Sequence, residues 1–191
     1  GHLERAAQLN PKSASVWNDL AGIEMKRGYF AAAVEDLKKA LAIDPNDSAA
    51  LINCGLVYLK LENSDAAEKM FRRAAELDSN DADAAAQLGS LLADEGRFEE
   101  ARKYLQQAIA ARRDYDFAIN NLGVLYMQAA KLNDAIAAFQ YGMQVSPNSE
   151  IIILNLARAY ARAGDNVKAR EVLSRLLARQ DSAQARAVLQ Q

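Results

Sequence analysis

The chain has 191 residues, of which 51% are hydrophobic, and a formal net charge of −2 at pH 7. That balance argues against a general nucleic-acid binder, which needs a basic stripe to displace counterions from phosphates, and no apolar run approaches the roughly 20 residues of a membrane-crossing helix. One cysteine excludes an internal disulfide, and with no signal peptide in view a cytoplasmic location is expected ahead of a periplasmic one.

Residues 3–10 read as the end of a helix, stopped at Asn10-Pro11. A first full helix is predicted from Ala14 to Arg27, closed by Gly28, a residue suited to a left-handed turn. A second runs from Phe30 to Ile43, and Asp44-Pro45-Asn46-Asp47 links it onward. The pattern then returns. Trp17, Leu20, Ala21, Ala33, Leu37, Ala40 and Pro45 set a frame into which Cys54, Gly55, Tyr58, Ala67, Phe71 and Ala74 fall, then Leu88, Gly89, Ala101, Leu105 and Ala108. The fourth copy carries Leu122, Gly123, Tyr126, Ala135, Phe139, Gly142 and Pro147, and the fifth Ile153, Leu156, Ala157, Tyr160, Ala169, Leu173 and Leu176. Gly55, Gly89 and Gly123 thus recur every 34 residues, and a fixed period of this size marks a repeat solenoid. The units are 14–47, 48–81, 82–115, 116–149 and 150–183, followed by a short terminal helix at 184–191. Leu3, Ala6 and Pro11 fit the second half of an earlier unit. Residues 1–13 are therefore expected to end a partial repeat of a longer parent protein, with Gly1-His2 a cloning remnant.

The small residues have a packing reason. Ala or Gly at one phase of each first helix, and Ala at one phase of each second, let helix axes approach closely. Glycine inside a helix costs roughly 1 kcal/mol relative to alanine, so three at one phase point to a steric need.

The spacing large-x2-Leu-Gly-x2-Tyr, then Ala-x3-Phe and Pro, resembles the tetratricopeptide repeat family over five full units. The resemblance implies an all-α fold, a right-handed superhelical solenoid of antiparallel helix pairs whose first helices line a concave face. Departures are local: Glu24 and Leu92 stand for the Tyr, Ala85 for the large residue, and Ser79, Arg113 and Asp181 for the closing Pro.

Catalytic chemistry finds little to stand on. The one histidine is His2, which removes most acid–base and nucleophilic arrangements. Cys54 holds a core position and reads as a packing thiol. Glu99-Glu100 open a second helix, where negative charge suits the dipole. No metal spacing or phosphate loop is present, so neither cofactor nor enzyme activity is expected. Tyr58, Tyr126 and Tyr160 share one position and read as core.

The inner face is more informative. At its sixth position the units carry Asp19, Asn53, Gln87, Asn121 and Asn155, with Asn120 beside one of them. A side-chain amide both donates and accepts, matching the two polar groups of a peptide unit. The row is similar to the asparagine ladder in the helical-repeat arm of O-linked N-acetylglucosamine transferases, over Asn53, Asn121, Asn155 and, with Gln for Asn, Gln87. That resemblance implies capture of an extended peptide by its backbone. Equally, such amides can bond to neighbouring helices. The carboxylate clamp of chaperone adaptors is absent in every register, where Asn18 and Gly22, Ile52 and Leu56, or Ala86 and Ser90 stand instead. Toward the end the face carries Phe117, Val124 and Met127, then Ile151, Leu154, Arg158 and Arg162: apolar area with a basic edge. The expected function is a protein-interaction module that binds a peptide or partner helix through these residues, with no nucleic-acid or membrane partner. The alternatives are the substrate-recruiting arm of a larger enzyme such as a glycosyltransferase, and an assembly scaffold whose exposed ends self-associate.

Overall fold

Helix pairs joined by two- or three-residue turns are the repeating element. The computed structural model describes Arg5 and residues 9–179, and no strand occurs among the described residues. Ten helices are described: α1 (Ala14–Arg27), α2 (Phe30–Ile43), α3 (Ser48–Lys60), α4 (Ser64–Leu77), α5 (Ala82–Asp94), α6 (Phe98–Ala111), α7 (Asp116–Gln128), α8 (Leu132–Val145), α9 (Glu150–Arg162) and α10 (Asn166–Arg179). The first two span the residues the sequence predicts. The expected terminal helix at 184–191 lies outside the described residues, as does the helix end at 3–10 apart from Arg5, Leu9 and Asn10.

Each turn between paired helices is built the same way. One residue adopts a left-handed conformation: Gly28, Glu62, Gly96, Ala130 and Gly164, with φ of 80°, 57°, 75°, 56° and 84°. The next residue donates its backbone N–H five residues back, as Tyr29 to Glu24, Asn63 to Tyr58, Arg97 to Leu92, Lys131 to Tyr126 and Asp165 to Tyr160, each at 2.9 Å. This closing bond satisfies a carbonyl the helix end would leave orphaned. A turn this short reverses the chain, so the two helices of a pair run antiparallel. Several N-termini are capped by side chains. Asp47 accepts from Ala50 N–H at 3.0 Å, Asn63 from Ala66 at 3.1 Å, Asp81 from Ala84 at 2.9 Å and Asp165 from Lys168 at 3.1 Å.

The chain divides into two compact units, Gly1–Leu91 and Leu92–Gln191, with the division inside α5. In the first unit α1 packs on α2, α3 on α4, α2 on α3, and α1 on α3. Its core gathers Ala21, Ala33, Leu37, Ala40, Cys54 and Val57. Ser48 Oγ donates to Asp81 Oδ2 at 2.6 Å, tying the start of α3 to the cap of α5.

In the second unit α7 packs on α8, α9 on α10, α8 on α9, α6 on α7, and α7 on α9. Its core is centred on Ile119, Phe139, Ile152, Leu156 and Leu173. Eight of the thirteen residues of α9 are buried, because α7, α8 and α10 all press on it. In both units, then, consecutive first helices are neighbours, and that adjacency builds the site described next.

Of the three tyrosines sharing one position, Tyr160 is buried and Tyr58 and Tyr126 are half-buried. Cys54 is 2% exposed, and burial pushes its thiol pKa up.

Candidate partner-binding site

In the second unit the residues Ile151, Asn155, Arg158 and Arg162 form one stripe along α9, since residues three and four apart share a helix face. Ile151 is 54% exposed, and Arg158 and Arg162 are exposed. Asn155, between them, is buried at 8% exposure. On α7, Phe117 and Asn121 likewise stand one turn apart. Phe117 is 37% exposed, its ring centroid 6.0 Å from that of Tyr115, which in turn carries the Arg112 guanidinium 4.0 Å above its centre.

A chain of hydrogen bonds joins the two helices. Arg158 Nη1 donates to Asn155 Oδ1 at 3.0 Å. Asn155 Nδ2 donates to Asn120 Oδ1 at 2.7 Å. Asn120 Nδ2 reaches Asn121 Oδ1 at 3.5 Å, the outer limit of a bond. Asn121 Nδ2, the last donor, is buried and meets no acceptor. Each bond runs in the same sense, so each polarises the next. The result is a guanidinium fixed in place by amides rather than by a carboxylate.

The first unit repeats the central bond. Asn53 Nδ2 donates to Asn18 Oδ1 at 2.8 Å, joining α3 to α1 as Asn155 joins α9 to α7. Gln87 is half-buried on α5. Asn53 and Asn155 therefore each spend an amide N–H inside the protein, which is the neighbouring-helix use the sequence left open. Two further residues of the expected face are withdrawn from it. Leu154 is 2% exposed and Met127 9%, both packed into the second unit's core, because the crowding around α9 covers more of the helix than its phase alone implies. Asn18, which the row of sixth positions did not include, is the acceptor that matters in the first unit. The repeated 35-residue spacing of Asn18 to Asn53 and Asn120 to Asn155 is the signal that points to it.

Asp116 Oδ1, at the start of α7, is likewise buried and meets no donor. A trench of about 430 Å³ between α8 and α10 is lined by Gln140, Met143, Leu156, Tyr160, Val172 and Arg175 among others. Gln140 Nε2 donates to Tyr160 Oη at 2.7 Å, and Arg175 pairs with Glu171 at 2.6 Å. On the second helices Lys38 and Lys168 hold the carboxyls of Glu35 and Asp165 below their usual range, chiefly by hydrogen bonding, and Arg102 does the same to Glu99. Among the described residues no group of three or more His, Cys, Asp or Glu could hold a metal ion, and no helix is long and apolar enough to cross a membrane.

These features can be set beside known proteins. A family model for the middle tetratricopeptide-like domain of cilia and flagella-associated protein 70 matches residues 2–93. Tetratricopeptide repeat models match residues 82–115 and 126–191. No curated protein sequence matches. Among solved structures the chain resembles PilW, a widely conserved type IV pilus biogenesis factor, at 24% identity over 98% of this chain and 87% of that one, with a TM-score of 0.86. MamA from Desulfovibrio magneticus RS-1 is 23% identical over 88% and 97%, with a TM-score of 0.76. YrrB, described as a tetratricopeptide repeat protein with an unusual peptide-binding site, is 22% identical over 100% and 99%, with a TM-score of 0.73. Identity this low speaks for the fold alone, and it agrees with the helix pairs, the left-handed turns and the paired first helices described above. The family is carried by the three repeat models, which together match residues 2–115 and 126–191: the chain belongs to the tetratricopeptide repeat family.

Proposed function

We propose that this chain is a non-enzymatic protein-interaction module, and that a peptide or partner helix lies on the face made by α7 and α9. Phe117 and Ile151 are the apolar anchors, Arg158 and Arg162 the charged edge, and Asn120, Asn121 and Asn155 the polar floor. Asn53 and Gln87 belong to the corresponding face of the first unit. The observation that carries the reading is the exposure of two large apolar side chains, Phe117 and Ile151, on adjacent first helices whose other apolar residues are mostly buried. A core-sized side chain left open beside ordered polar groups is the pattern of a contact surface. The peptide-binding site described for YrrB shows that the fold can carry one, without saying which residues serve here.

The test is a comparative capture from lysate with identification by mass spectrometry. Wild-type chain, a Phe117→Ser/Ile151→Ser variant and a Gln106→Ser control are run together, each checked for helicity. Partners held by wild type and control but lost by the double variant support the proposal. Partners that survive the double variant place binding elsewhere and favour a scaffold acting through another surface.

A further inference from the structure

We infer that the α7–α9 face takes an acidic partner segment, in which one apolar side chain is followed at short spacing by Asp or Glu. The inference rests on the face being the binding surface proposed above, and adds the chemistry of its occupant.

Three observations lead there. Arg158 and Arg162 are exposed and stand one turn apart. Among the described residues neither forms an ion pair, whereas Arg72, Arg97, Arg102 and Arg175 all do. Finally, Arg158 is not loose: its Nη1 is held by Asn155 Oδ1, and Asn155 by Asn120. A neutral amide orients the guanidinium without neutralising it. The remaining N–H groups stay available for a carboxylate, which a guanidinium receives with two parallel bonds.

The spacing follows from helix geometry. Along α9, Ile151 and Arg158 are about 10 Å apart and Ile151 and Arg162 about 16 Å, at a rise near 1.5 Å per residue. An extended peptide advances about 3.3 Å per residue. A segment lying along α9 with an apolar residue at Ile151 and Phe117 therefore presents its acidic side chains about three and about five residues further on. Two arginines on a chain of net charge −2 are too few for the counterion release that drives general nucleic-acid binding, so an acidic protein segment is the occupant the charges favour.

A displayed library of random peptides selected on the full chain tests this. Enriched peptides are synthesised with a fluorophore and titrated against wild type, Arg162→Ala, Arg158→Ala/Arg162→Ala and Phe117→Ser/Ile151→Ser, with helicity checked for each. Arg162→Ala keeps the test clean, because Arg162 bonds to nothing that orders the fold. Enrichment of an apolar residue followed by Asp or Glu at that spacing is expected. Affinity should fall several-fold in Arg162→Ala and on the order of tenfold or more in the double arginine variant, with weaker binding at high salt. Peptides without acidic bias that depend on Phe117 and Ile151 but not on the arginines overturn this inference and leave the binding face standing. Peptides indifferent to all four residues, or no enrichment at all, overturn both. Oligouridine is titrated in parallel, and its binding more tightly than any peptide, in an arginine-dependent way, overturns the choice of a protein partner.

Discussion

The ring of Phe71 occupies the space a side chain on Gly55 would need: a Cβ built on Gly55 would lie 2.5 Å from Phe71 Cε1. Gly123 stands in the same relation to Phe139, and closer still. In the first and fifth units the residues at these two positions are Ala21 with Leu37 and Ala157 with Leu173, all buried. In these four units glycine thus goes with phenylalanine and alanine with leucine, while the third carries Gly89 and Leu105 at the same positions. Gly55→Ala should destabilise the fold by about 1–3 kcal/mol through overpacking, despite the roughly 1 kcal/mol that alanine gains in helix propensity. Gly55→Ala/Phe71→Leu should recover most of that loss. Urea unfolding of the three variants checks it. If the single and double variants are equally destabilised, the ring does not set the glycine.

The left-handed turn residue makes a second prediction. Glu62 and Ala130 hold a conformation that Gly28, Gly96 and Gly164 adopt freely. A side chain there costs roughly 1–2 kcal/mol, and glycine gives back part of this by its greater freedom when unfolded. Ala130→Gly and Glu62→Gly should each stabilise the protein by about 0.5–1 kcal/mol, read as a higher denaturant midpoint at unchanged slope. A lower midpoint in either variant contradicts the argument.

The amide pairs make a third. Removing Asn155 leaves Asn120 Oδ1 without its donor and frees Arg158. Asn155→Ala should cost about 1–2 kcal/mol. A cycle with Asn120→Ala should show coupling above the few tenths of a kcal/mol expected for independent sites, and Asn18 with Asn53 should behave alike. Additive losses would mean that the bonds are not made in solution.

Cys54 gives a prediction in pH. Its buried thiol holds its proton to higher pH than an unfolded one. Stability from this group is complete below the ordinary thiol pKa, near 8.5, and is lost as pH rises beyond it, because the unfolded chain ionises first. Native protein should therefore react with a thiol reagent only through opening, and its thermal midpoint should fall more steeply between about pH 8 and 10 than that of Cys54→Val. Complete labelling within seconds under native conditions would show the thiol to be accessible.

How much of this was readable beforehand depends on the kind of question. Helix bounds were legible because Gly28, Pro45 and their repeats mark ends by local backbone chemistry. That Ile151, Asn155, Arg158 and Arg162 share one face of α9 was legible because helical phase is a property of one helix. What phase does not report is how far a neighbour reaches. Leu154 lies at an inner position yet is buried, and Asn53 and Asn155 carry the expected amides yet give one N–H each to Asn18 and Asn120 across a helix boundary. The turns at Glu62 and Ala130 escaped for a related reason. The residue types carry no turn signal, and only their place in the 34-residue frame assigns them a left-handed backbone.

The enclosure of α9 bears on how the protein's preferences can change. With eight of its thirteen side chains buried and Glu150 half-buried, four residues of the helix, Ile151, Arg158, Ala161 and Arg162, are exposed. Retargeting this end, by selection or by engineering, therefore runs through a four-letter word whose spelling can be altered without disturbing the scaffold, while a change at any buried position is a change of architecture first.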